Sequence, residues 1–65
     1  MNKYLVEYGI ADTMEEITEW KSLGYVEADT PYDASLIVYK ERGAELLHAI
    51  FRVMHGKQYV YYSFS

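Results

Sequence analysis

Residues 3 to 10 alternate, with Tyr4, Val6, Tyr8 and Ile10 on one side and Lys3, Leu5 and Glu7 on the other. A two-residue period predicts a strand over 3–10 with one face buried. The period then changes, because Met14, Ile17 and Trp20 recur at every third position behind Thr13 and Glu16, which match a capping box. This spacing predicts a short amphipathic helix over 13–22 ended by Gly24, although a strand running from Ile17 into Tyr25 fits the same residues. Tyr25 to Asp29 reads as a second strand over 25–29, with Val26 and Ala28 inward. Thr30-Pro31-Tyr32-Asp33 is the clearest local signal in the chain and predicts a helix over 31–42. Thr30 caps it, Pro31 takes the first helical position, where no donor is needed, and Asp33 suits the positive end. Ala34, Ile37 and Val38 supply an inward stripe, and Gly43 stops the helix.

Ala44 to Gly56 satisfies two templates at once. As a helix over 44–55, it places Glu45, His48, Arg52 and His55 on a polar arc opposite Leu46, Leu47, Ile50 and Met54. As a strand over 46–54, it pairs with a final strand over 58–64 through a His55-Gly56 turn, setting Phe51 opposite Val60, Ala49 opposite Tyr62 and Leu47 opposite Phe64. One hairpin face then carries Leu47, Ala49, Phe51, Val53, Val60, Tyr62 and Phe64, and the other carries His48, Ile50, Arg52, Tyr59, Tyr61 and Ser63. The β-branched and aromatic residues favour the hairpin. The expectation is therefore a single α+β domain over 1–65, a small antiparallel sheet of three or four strands packed on one or two helices.

Composition narrows what such a domain can be. Sixty-five residues bury only about 60% of the surface that the unfolded chain exposes, which leaves a thin stability margin. With no cysteine, neither disulfides nor thiolate zinc can staple the fold, so its 51% hydrophobic residues must hold it together. No stretch has the pattern of a secretion signal or a membrane span, which implies a cytoplasmic protein without a membrane partner. Tyrosine occurs eight times, and its apolar ring with a wet hydroxyl suits half-buried strands and binding faces.

Charge is divided unevenly. Residues 1–33 hold eight acids with Lys3 and Lys21, whereas residues 34–65 hold two acids with Lys40, Arg42, Arg52 and Lys57, giving −6 and +2 within a total of −4. The asymmetry points to a surface with a preferred kind of partner.

The succession of a strand, Val26-Glu27-Ala28-Asp29-Thr30-Pro31, a helix with Ala34 and a Gly-turned hairpin resembles very small phage-encoded α+β proteins, as among some anti-CRISPR proteins and some phage inhibitors of host RNA polymerase. The resemblance covers about residues 24 to 62. It implies a protein that occupies a surface of a larger machine in the host cytoplasm, and it transfers no functional residue.

Candidate chemistry is sparse. Glu45 and His48 form a Glu-x-x-His pair, but a di-iron site needs further carboxylates and a second copy, and adding His55 gives only a partial set, so no metal is expected. No serine sits in a nucleophile elbow, no glycines form a phosphate loop, and so neither catalysis nor a cofactor is expected. Two surfaces remain. The acidic set of Asp12, Glu15, Glu16, Glu19, Glu27, Asp29 and Asp33 is either a solvated face or a polyanion mimic that fills Arg and Lys sites on a host protein or complex, one that itself binds nucleic acid. The outer hairpin face gathers Ile50, Arg52, Tyr59 and Tyr61 as interface anchors or as a stacking platform for single-stranded nucleic acid, unless Met14, Ile17 and Trp20 lie across it. A homodimer through the hairpin face or an edge strand is the structural alternative.

Overall fold

The computed structural model describes residues 2–64, without the side chain of Ala44. Four strands form one antiparallel sheet: β1 (Asn2–Ile10), β2 (Lys21–Ala28), β3 (Ala49–His55) and β4 (Gln58–Ser63), in the spatial order β2-β1-β3-β4. The long helix α1 (Pro31–Arg42) links β2 to β3, and single 3-10 turns occupy Met14–Glu16 and Gly43–Leu46. Because β2 and β3 both pair antiparallel with β1, they run parallel to each other, and α1 is the crossover between them. This is a small α+β fold with a four-stranded sheet.

The bounds of α1 follow from local chemistry. Thr30 Oγ1 accepts a hydrogen bond from the Asp33 amide at 3.1 Å, and Pro31 occupies the first turn. Gly43 ends the helix at φ +59°, its N–H donating to the Tyr39 carbonyl. Pro31, Ala34, Ser35 and Val38 form the buried stripe at the i, i+3, i+4, i+7 spacing of one helix face. Ile37, expected in that stripe, is 39% exposed. The helix is rolled toward Ser35 and Tyr39 because the Tyr39 ring stacks on Phe64 at 5.0 Å and meets Phe51 edge-on at 6.3 Å. Ser35 tolerates burial because its hydroxyl donates to the Tyr32 carbonyl at 2.7 Å.

The core lies between α1 and one sheet face. Val6, Phe51 and Val53 are fully buried there with Ala34, and Tyr4, Ala28, Val38, Leu46 and Ala49 surround them. At the β4 side, Tyr32, Tyr62 and Phe64 extend this core as an aromatic cluster with ring centroids 5.5–5.7 Å apart.

Three expectations need correction. The helix over 13–22 is absent: Met14–Glu16 forms one 3-10 turn, Thr13 makes no side-chain cap, and β2 already begins at Lys21. Gly24, read as a helix stop, instead adopts φ +83° at a bulge where β2 slips against β1 between Leu5 and Glu7. The bulge absorbs one residue, so Leu23 and Val26 both pack on the core although their spacing is odd. The hairpin is also displaced by two residues, with Phe51 opposite Tyr62, Val53 opposite Val60, and His55 opposite Gln58. Its turn is therefore Gly56-Lys57, with Gly56 at φ +67° in the first central position that a type II′ turn gives to glycine. An even slip leaves every strand side chain on its expected face. Finally, β3 begins at Ala49 rather than 46, so Leu47 is 45% exposed while Leu46, from the preceding turn, is buried. Residues 49–55 are strand, not the alternative helix.

Candidate docking surface

The sheet face away from α1 is organised around one cation. Register sets Glu7 of β1 opposite Arg52 of β3, and Arg52 opposite Tyr61 of β4. Arg52 Nε donates to Glu7 Oε1 at 3.0 Å and its Nη2 donates to Glu7 Oε2 at 3.3 Å, a bidentate pair whose side chains are only 21% and 14% exposed. The guanidinium carbon lies 4.5 Å from the centre of the Trp20 ring and 4.3 Å from that of Tyr59. Trp20 in turn meets Tyr61 at 5.9 Å. Burial works to lower the Arg52 pKa, but the hydrogen bonds and charge of Glu7 leave it raised, with Tyr59 and Tyr61 adding to the same effect. The arginine is a fixed charge holding three rings and a carboxylate together.

Residues 11–20 form a strap over this face. Ile17 presses on Gly9, where an added Cβ would come within 2.4 Å of its side chain, so only glycine admits the strap at this depth. Hydrogen bonds from the Glu16 amide to the Thr13 carbonyl and from the Ile17 amide to the Met14 carbonyl, both 3.2 Å, close its turn. With Ile17 and Trp20 turned toward the sheet, Asp12, Glu15, Glu16 and Glu19 are exposed. Ile17 and Trp20 of the 13–22 segment do lie across the outer face, as a strap rather than a helix, whereas Met14 is 43% exposed.

The extended run of β2 separates the acidic set into two groups. Asp12, Glu15, Glu16 and Glu19 follow the end of β1, whereas Glu27 stands opposite Lys3 near its start, roughly 23 Å of strand away. Glu27 there joins Asp29 and Asp33, which with Leu36, Ile37 and Lys40 line an open groove of about 310 Å³ beside α1. The outer-face residues behave differently, since Arg52, Tyr59 and Tyr61 do come together, Tyr59 and Tyr61 being 36% and 42% exposed.

Comparison of the chain with protein-family models, curated proteins and solved structures found no match.

Sequence reasoning missed Glu7 as a member of this constellation. A signal existed, since Glu7 is the only acid on β1 and Arg52 the only arginine or lysine on β3, both on outward positions of their alternations. Pairing them required knowing that β1 lies beside β3. The histidines and Glu45 are not drawn together, because His48 precedes β3 and His55 ends it, and no three His, Cys, Asp or Glu residues group as metal ligands among the described residues. No helix among them is long and apolar enough to cross a membrane.

Proposed function

We propose that this protein is a non-enzymatic binding protein that docks through the acidic strap on a basic surface of a larger host protein, acting in the host cytoplasm as an inhibitor of the phage type that its strand-to-helix pattern resembles. The observation that carries this reading is the strap itself, four exposed carboxylates on a short segment pinned by Ile17 on Gly9 and by Trp20 on Arg52. Pinning matters because carboxylates held in place lose less freedom on docking than those of a loose loop. They fill Arg and Lys sites that otherwise take phosphates, with association that is fast and weakens as salt rises. Glu27, on the other acidic group, lies too far along the sheet to share the same basic pocket.

The alternative of single-strand binding through Tyr59, Tyr61 and Arg52 is less well supported. Stacking platforms need a cation free for phosphate, and Arg52 is committed to Glu7. The deciding experiment is affinity capture from host lysate with the wild-type chain and with a Glu15→Lys, Glu16→Lys, Glu19→Lys triple variant, each with and without excess short duplex DNA. A specific protein captured by wild type, competed by the duplex and lost in the triple variant is the expected result. Capture unaffected by the charge reversal overturns strap docking.

A further inference from the structure

The two edges of the sheet are protected to different degrees. Along β2 the ladder is broken by the Gly24 bulge, and Lys21 and Glu27 place charges on the strand. Both are devices that discourage a second strand from adding there. Gln58–Ser63, the opposite edge, has none of them: β4 carries no charged residue, no proline and no glycine, and its register with β3 is unbroken from Gln58 to Ser63. Three of its six residues are tyrosine and one is valine, the composition of a strand ready to pair.

We propose that β4 is a self-association edge, on which the β4 of a second copy adds antiparallel to make a continuous eight-stranded sheet with two-fold symmetry. Charge favours a second copy as the occupant. Meeting at β4 keeps β2, with its Glu27, at the outer ends of the dimer, and β4 itself brings no charge to the seam. An uncharged strand also faces itself without like-charge repulsion, which an isologous interface requires. With the axis at Val60, Val60 faces its own copy and Tyr59 of each chain faces Tyr61 of the other. The exposed Tyr59–Tyr61 pair, 6.4 Å apart, then becomes half of a four-tyrosine cluster on the strapped face. Of the strap carboxylates only Asp12 borders the edge, lining a pocket with Ser63, so charge reversal at Glu15, Glu16 and Glu19 tests strap docking separately from self-association.

Sedimentation equilibrium across micromolar to millimolar concentrations tests it, with Tyr61→Lys, Ser63→Lys and Tyr25→Lys variants checked for folding by circular dichroism. Tyr61→Lys sets lysines diagonally across the axis, and Ser63→Lys sets one opposite Lys57 of the other copy without touching Trp20 or Arg52. Tyr25, 72% exposed on β2, is the control for an added charge away from the interface. The expected result is a concentration-dependent rise from the 7.6 kDa monomer toward twice that mass, weakened at least tenfold in either β4 variant and unchanged in Tyr25→Lys. A wild-type monomer throughout the range, a folded Ser63→Lys that associates like wild type, or equal loss in Tyr25→Lys overturns the proposal.

Discussion

On the helix side of the sheet, Val6, Phe51 and Val53 are sealed from water by α1, whereas on the other side their strand neighbours Glu7 and Arg52 lie under a short strap. Both layers are built from the same two-residue alternation of the same strands. The covered face is held by dry packing, in which each lost methylene opens a cavity. The strapped face is held by one arginine that satisfies a carboxylate in its plane and two aromatic rings beside it. A domain too small for a second apolar layer thus closes its second face with a cation whose partners come from three separate segments.

That comparison is sharpest where the two chemistries are removed one at a time. Phe51→Ala should have the largest effect, about 3–5 kcal/mol of lost stability, against a total of about 3–10 kcal/mol for a chain of this length. Urea unfolding followed by circular dichroism should find this variant largely unfolded at 37 °C. A folded Phe51→Ala with a near-native midpoint would show that α1 does not seal the core as described.

Arg52→Ala should cost less, about 1–3 kcal/mol, because it strands the poorly exposed Glu7 carboxylate and frees Trp20. Loosening of the strap is the distinguishing readout: Trp20 fluorescence should shift to the red and strap amides should exchange faster, while the amides of α1 stay protected. If Glu7→Ala combined with Arg52→Ala costs as much as the two singles added together, the ion pair contributes no coupling.

The smallest effect separates the faces by pH. Burial, and then the charge of Tyr4, raise the Tyr62 pKa on the helix side. A folded-state pKa above the unfolded value of about 10 means that the contribution of Tyr62 is fully present below that pH and is lost as pH climbs through the folded value. Stability should therefore decline above pH 10, and Tyr62→Phe should flatten that decline while leaving thermal melts near neutral pH almost unmoved in their pH dependence. An identical alkaline slope in Tyr62→Phe would place the titrating tyrosine elsewhere.

Helix α1 was legible to the residue because its determinants are local: Thr30, Pro31 and Gly43 act within one turn of the ends they set. Strand faces were legible too, except at Ile10, which is 64% exposed at the end of β1, and they survived a two-residue error in the β3–β4 register because side chains alternate with period two. Gly24 shows where reading failed. A glycine with positive φ ends a helix or makes a bulge with equal ease, and only its pairing with β1 decides which. Thr13 and Glu16 failed likewise: the chain makes a single 3-10 turn and then runs extended, with Ile17 on Gly9 and Trp20 on Arg52.

The sequence by itself determined the elements whose causes lie within a few residues: the capped helix, the alternating strands, and the outward positions of Arg52, Tyr59 and Tyr61. Tertiary structure alone decided which side chains meet across long stretches of chain. The order β2-β1-β3-β4 brings Glu7 to Arg52 forty-five residues away, where Trp20 and Tyr59 from two further segments meet the same guanidinium. Propensity and capping act through neighbouring backbone groups, whereas strand order is settled by burying both sheet faces at once, and that condition is not written in any local stretch of the chain.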